Sequence, residues 1–216
     1  MLKKWQIGVA LGALIVIGLS AGARADEPYI PLVSKGFQHQ FWQAVKLGAE
    51  QAAKADDVKI TFEGPESETM VDKQIDMLSA DLAKHPNAIG FAALDSKAAI
   101  PLLRKAQAEH IPVIAFDSGV DSDIPLTTCA TNNLAAAALA ADKMAEAIGD
   151  SGEVAVIVHD QTSRTGIDRR DGFLKEMKDK HPNVKIVSVQ YGAGDHLKSA
   201  EIAKADMRGW ADDRAV

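Results

Sequence analysis

Short apolar runs alternate with segments of helical period along residues 29–205, and this alternation restricts the fold more than any other feature of the chain. The runs "YIPLVS" (29–34), "VKITFEG" (58–64), "AIGFAAL" (88–94), "IPVIAFDS" (111–118), "LTTCAT" (126–131), "GEVAVIVHD" (152–160) and "NVKIVSVQY" (183–191) read as strands. Between them, apolar residues recur at helical spacing over 39–55, 68–84, 96–109, 132–149, 166–180 and 195–205. Ser96 and Asn132 stand where N-caps would, Pro101 weakens the first turns of its helix, and Gly149 ends the alanine-rich one. A continuous apolar run such as 88–94 suits a parallel strand covered on both faces. Right-handed β-α-β crossovers then predict an α/β fold of open parallel sheets flanked by helices.

The alternation is broken once. The strand at 126–131 has no crossover helix before it, and a long helix and a new strand series follow. That order predicts two lobes, 26–131 and 132–204, with a hinge near 126–133. The second lobe has only two clear strands, so it is expected to be incomplete. Apolar periodicity fades after Lys204, and residues 205–216 are expected to be a tail out of register with the fold.

The first residues belong to neither lobe. "MLKKWQ" is basic, "IGVALGALIVIGLSAG" is apolar, and Ala23-Arg24-Ala25 precedes Asp26. This is the layout of a secretory signal peptide cut after Ala25, and the apolar run is shorter than the ~20 residues that span a bilayer. Residues 1–25 hold three basic and no acidic side chains, so their removal moves the net charge from −6 to −9. With no basic cluster, nucleic acid is not an expected partner. Cys129 is the only cysteine, which excludes an intrachain disulfide, and its apolar surroundings predict burial.

In open parallel sheets, ligands bind beyond the carboxyl ends of the strands. The first strand ends at "SKGFQHQFW", with Lys35, His39, Phe41 and Trp42, and the fourth at Asp117-Ser118. The strand at 152–160 leads to "HDQTSRTGIDRRDGF", with Arg169. Aromatic rings cover the C–H face of a sugar, a carboxylate accepts from neighbouring hydroxyls, and a guanidinium donates through a planar fork. Such charge-assisted bonds contribute roughly 1.5–3 kcal/mol each. Plainer roles remain open: Phe41 and Trp42 as core of the first helix, Lys35 as a solvated loop lysine, Asp117 as a turn cap, and Arg169 as the surface partner of Asp168 or Asp171. Asp95 reads as structural. The six histidines show no metal-ligand spacing, "DSGVDSD" lacks the order of a calcium loop, and no nucleophile elbow, Walker loop or dinucleotide fingerprint occurs. No catalysis, metal or cofactor is therefore expected.

The stretches "SKGFQHQFWQAVKLGAEQAA", "AIGFAALDSKA", "IPVIAFDSGV", "TNNLAAAALAADKMAE" and "TSRTGIDRRDGF" together resemble the periplasmic sugar-binding proteins of ABC importers, of the ribose/allose/xylose type. The resemblance implies a two-lobed binding protein, monomeric and periplasmic, that takes a sugar, docks transiently on a membrane permease and can signal through a chemoreceptor. It assigns ligand contacts to Lys35, Phe41, Trp42, Asp117, Ser118 and Arg169. His39-Gln40 stands where the family often has Asn-Pro, which leaves the sugar open. The family's last ligand residues and its return to the first lobe have no counterpart, so weak binding is expected. A related branch that binds a furanone autoinducer also fits Lys35, the "EGP" turn and Asp117-Ser118. Effector domains of lactose-repressor-type regulators share the fold, but they carry a DNA-reading helix pair where residues 1–25 stand.

Overall fold

The computed structural model describes residues 27–212, so the expected signal peptide lies outside the described residues. Five parallel strands form the first sheet: β1 (Tyr29–Val33), β2 (Lys59–Glu63), β3 (Ile89–Phe91), β4 (Val113–Phe116) and β5 (Thr128–Cys129), in the order β2-β1-β3-β4-β5. Helices α1 (Gln40–Asp56), α2 (Val71–Leu82) and α3 (Ile100–Ala108) connect them. The order reverses between β1 and β3, where loops leaving the two strands diverge and open a crevice. Val33, Phe91 and Val113 lie fully inside, packed against Leu78 and Leu82 of α2 and Leu103 of α3.

A second sheet pairs β6 (Gly152–Val158) in parallel with β7 (Val184–Tyr191), and α4 (Asn133–Ala147), α5 (Arg164–Lys180) and α6 (His196–Asp212) accompany it. Among the described residues this sheet has two strands, as expected. Residues 130–132 link β5 to α4, and the Asn132 side chain caps α4 by accepting from the Ala135 N–H at 3.1 Å. Gly172 lets α5 lie close on α4: a Cβ there would stand 2.5 Å from the Leu134 carbonyl oxygen.

Some local expectations hold and others are corrected. Ser96 does not cap α3, which starts at Ile100; its Oγ donates to Asp121 at 3.1 Å. Asp95 is structural, accepting from the Lys97 and Ala98 N–H groups at 2.8 and 2.9 Å. Pro101 falls within the first turn of α3, where no intrahelical N–H is needed. Cys129 is exposed rather than buried, because two-residue β5 is the edge of its sheet. Of the expected tail, residues 205–212 continue α6, with Ala203 and Met207 facing a cavity over β6 and β7, and residues 213–216 lie outside the described residues. No described helix is long and apolar enough to cross a membrane.

Candidate functional site

The carboxyl ends of both sheets face a shared cleft of about 530 Å³. Lys35, His39, Phe41, Trp42, Asp117 and Arg169, six of the seven residues singled out in the sequence, line it. Ser118 does not. It is fully buried, its Oγ has no hydrogen-bond partner, and it serves the wall through its backbone, whose carbonyl accepts from the Ala93 N–H at 2.9 Å.

The aromatic pair divides its labour. Trp42 is 2% exposed, and its indole N–H donates to Glu68 at 2.8 Å. Phe41 stands edge-on to it, with ring centroids 4.8 Å apart, and remains 53% exposed on the cleft side. Trp42 is thus core and Phe41 the open apolar face.

Asp117 occupies a tight turn with φ of 56°, closed by the Ser118 N–H on the Phe116 carbonyl at 2.6 Å. A left-handed conformation is unusual away from glycine, though Asp tolerates it, and such positions gather at binding sites. Burial pushes its carboxyl above the ordinary aspartate range, while the positive charges of Lys35 and Arg169 pull the other way. From the opposite lobe, Arg169 donates through Nε to Asn133 at 2.8 Å, which in turn donates to the Thr131 carbonyl at 3.1 Å. The surface pairing considered for Arg169 is taken by its neighbours: Arg164 bonds Asp168, and Arg170 bonds Asp171 at 2.7 Å. The terminal nitrogens of Arg169 carry no hydrogen bond to the described protein groups.

Lys35 is no solvated loop residue. Only 3% exposed, its ammonium lies 3.4 Å from Glu68, 3.9 Å from Asp160, 3.4 Å from Ser163 Oγ and 3.3 Å from Thr165 Oγ1. Glu68 also meets the His159 ring nitrogen at 2.9 Å. Burial would raise the Glu68 carboxyl, but the bonds from His159 and Trp42 and the Lys35 charge outweigh it and hold the group at about 2.

Glu68, His159 and Thr165 line the cleft without having been singled out in the sequence. Glu68 was absorbed into a helix expected from 68; Met70 departs from helical geometry, α2 starts at Val71, and Glu68 stays on the loop. Thr165 lies where α5 begins two residues earlier than its periodicity suggests, with Ser163 as N-cap. His39 and His196 also meet across the cleft, with ring centroids 5.8 Å apart, although 157 positions part them in sequence. Among the described residues, no group of three or more His, Cys, Asp or Glu is placed to hold a metal ion.

Known proteins are similar to this chain in sequence and in fold. The D-ribose/D-allose-binding protein of Pseudomonas aeruginosa is 27% identical over 199 residues, covering 88% of this chain and 62% of that protein. The D-allose-binding periplasmic protein of Escherichia coli is 27% identical over 200 residues, covering 89% of this chain and 64% of that one. A carbohydrate transporter solute-binding protein of Agrobacterium radiobacter, solved in complex with D-arabinose, superposes with a TM-score of 0.81 at 31% identity, over 86% of this chain and 64% of that one. The chain therefore spans a little over three fifths of the length of each. Residues 30–212 match the periplasmic binding protein domain, and the chain belongs to that family.

Proposed function

We propose that this protein is a sugar-binding component of an ABC importer, exported to the periplasm by residues 1–25 and presenting its loaded form to a membrane permease. The observation that carries the reading is the cleft itself. Asp117 reaches it from the end of β4 and Arg169 from α5 of the other lobe, with the exposed Phe41 ring of α1 also lining it. A carboxylate acceptor facing guanidinium donors beside an apolar plate suits a neutral polyol ring, whose hydroxyls both give and accept and whose C–H face is apolar. Relatives of the chain include proteins named for ribose and allose and one solved in complex with D-arabinose. Ligand that bridges groups on two lobes favours their approach, which is the form a permease would read.

The family is one of binding proteins, and no reaction is proposed. We place Phe41, Asp117 and Arg169 in direct contact with the ligand, and His39, Lys35 and Trp42 in the wall around them. Ser118 supports the turn that aims Asp117. No cofactor or nucleic acid enters this reading, the protein is taken as a monomer, and a chemoreceptor is a second possible reader of the loaded form. The furanone reading leans most on Lys35, whose ammonium is already engaged by four protein groups. A neutral sugar is therefore preferred.

Saturation-transfer NMR against D-ribose, D-allose, D-arabinose, D-fucose and polyols tests the proposal. Transfer to one or two of these sugars is expected. Asp117→Asn and Arg169→Met should each abolish it. Transfer to none of them, or transfer unchanged in both variants, would sink the sugar reading.

A further inference from the structure

We infer that Lys35 and Glu68 form a buried ionic latch between the lobes, with Glu68 as the residue that sets how readily the cleft closes. Both side chains belong to the first lobe, on the loops leaving β1 and β2. Their partners His159, Asp160, Ser163 and Thr165 all belong to the second. Lys35 is 3% exposed and Glu68 9%, so the contact is shielded from solvent.

The electrostatics of the latch are lopsided. Ser163 caps α5 and Thr165 lies in its first turn, so the Lys35 ammonium is pressed against the positive end of that helix. A cation there is repelled unless anions offset it. Asp160 is 3.9 Å away, and its carboxylate is already shared with the Thr162 and Ser163 N–H groups and the Ser163 hydroxyl. Glu68 is closer at 3.4 Å, and it also joins the lobes directly through His159. Neutralising Glu68 thus leaves a buried cation facing a helix N-terminus across the lobe boundary, and the lobes are pushed apart. Neutralising Lys35 alone leaves Glu68 with Trp42 and His159, which is a milder change. Removing both charges removes the conflict, because a buried ion pair replaced as a whole is often neutral in energy while a broken one is not.

This inference rests on the two-lobed binding reading, but its test needs no sugar, so failure to bind a sugar leaves it standing. Spin labels at Lys73→Cys and Lys198→Cys, on a Cys129→Ser background, report the distance across the mouth by pulsed electron resonance. Glu68→Gln should lower the closed-to-open ratio by about tenfold or more. Lys35→Met should shift it less, and Lys35→Met with Glu68→Gln should return the distribution close to that of the unsubstituted protein. Should Glu68→Gln fail to fold, the doubly substituted protein must still fold and remain closed. An unchanged distribution in Glu68→Gln, or a doubly substituted protein that is unfolded or as open as the single variant, would overturn the latch.

Discussion

Beneath the five-stranded sheet, α2 and α3 press Leu78, Leu82 and Leu103 against Ile89, Phe91 and Val113. Beneath β6 and β7, α4 and α5 reach the strands with Ala141, Ala145 and Met177 against Val154 and Val184. The first lobe gains from large buried side chains, each worth about 1.5–3 kcal/mol of transfer free energy. The second relies on close approach between backbones, which alanines and Gly172 permit, and it keeps apolar surface in the open: Val187 of β7 is 54% and Met207 of α6 62% exposed. The difference teaches that one lobe is a self-sufficient core and the other a thin layer, so the lobes should differ in how they fail.

Phe91→Ala cuts into the larger core and should cost about 3–5 kcal/mol, read as a fall in the urea midpoint of the whole chain. If the thin lobe were the true source of stability, the loss would be far smaller. Gly172→Ala meets the Leu134 carbonyl and should cost about 1–3 kcal/mol. Hydrogen exchange should show this loss in α4 and α5 while β1, β3 and β4 stay protected. Exchange rising equally in both lobes would mean that they open as one unit.

Acidity separates the lobes more finely. In the first, burial and then the neighbouring Asp81 carboxyl push Glu63 up to about 7. A carboxyl raised by folding stabilises fully below its unfolded value near 4.5, and that contribution is lost as pH rises through about 7. In the second, the His181 ring bonds Asp142 at 3.0 Å and Asp150 at 2.6 Å, which raises it above the ordinary histidine value. Its contribution is present below about 6.5 and likewise fades as pH rises. Thermal melts from pH 5 to 9 should therefore fall, Glu63→Gln should flatten the first-lobe part, and His181→Asn the second. A melt temperature that climbs over this range contradicts both assignments. At the small end, Lys46→Ala removes an exposed helix pair with Glu50 and should move stability by less than about 0.5 kcal/mol.

Much of this was legible beforehand. Every strand and helix was expected near its observed place, because apolar period follows directly from which face is buried. Phe41, Asp117 and Arg169 were legible as cleft-lining residues because the segments that follow strand ends in such sheets border the crevice. What escaped were residues whose role depends on a neighbour's geometry. Glu68 looked helical until Met70 broke the turn, Ser118 looked like a ligand contact until the turn at Asp117 directed it inward, and Cys129 looked buried although its strand is an edge.

By itself, the sequence determined the α/β class and the order of its elements, since these depend on local period and on runs a few residues long. Only the tertiary structure decided which charged groups meet across the cleft. Lys35, Glu68, His159 and Thr165 are brought within bonding distance by the packing of separate elements, and pairings between residues so far apart along the chain, up to 130 positions for Lys35 and Thr165, leave no mark in local pattern.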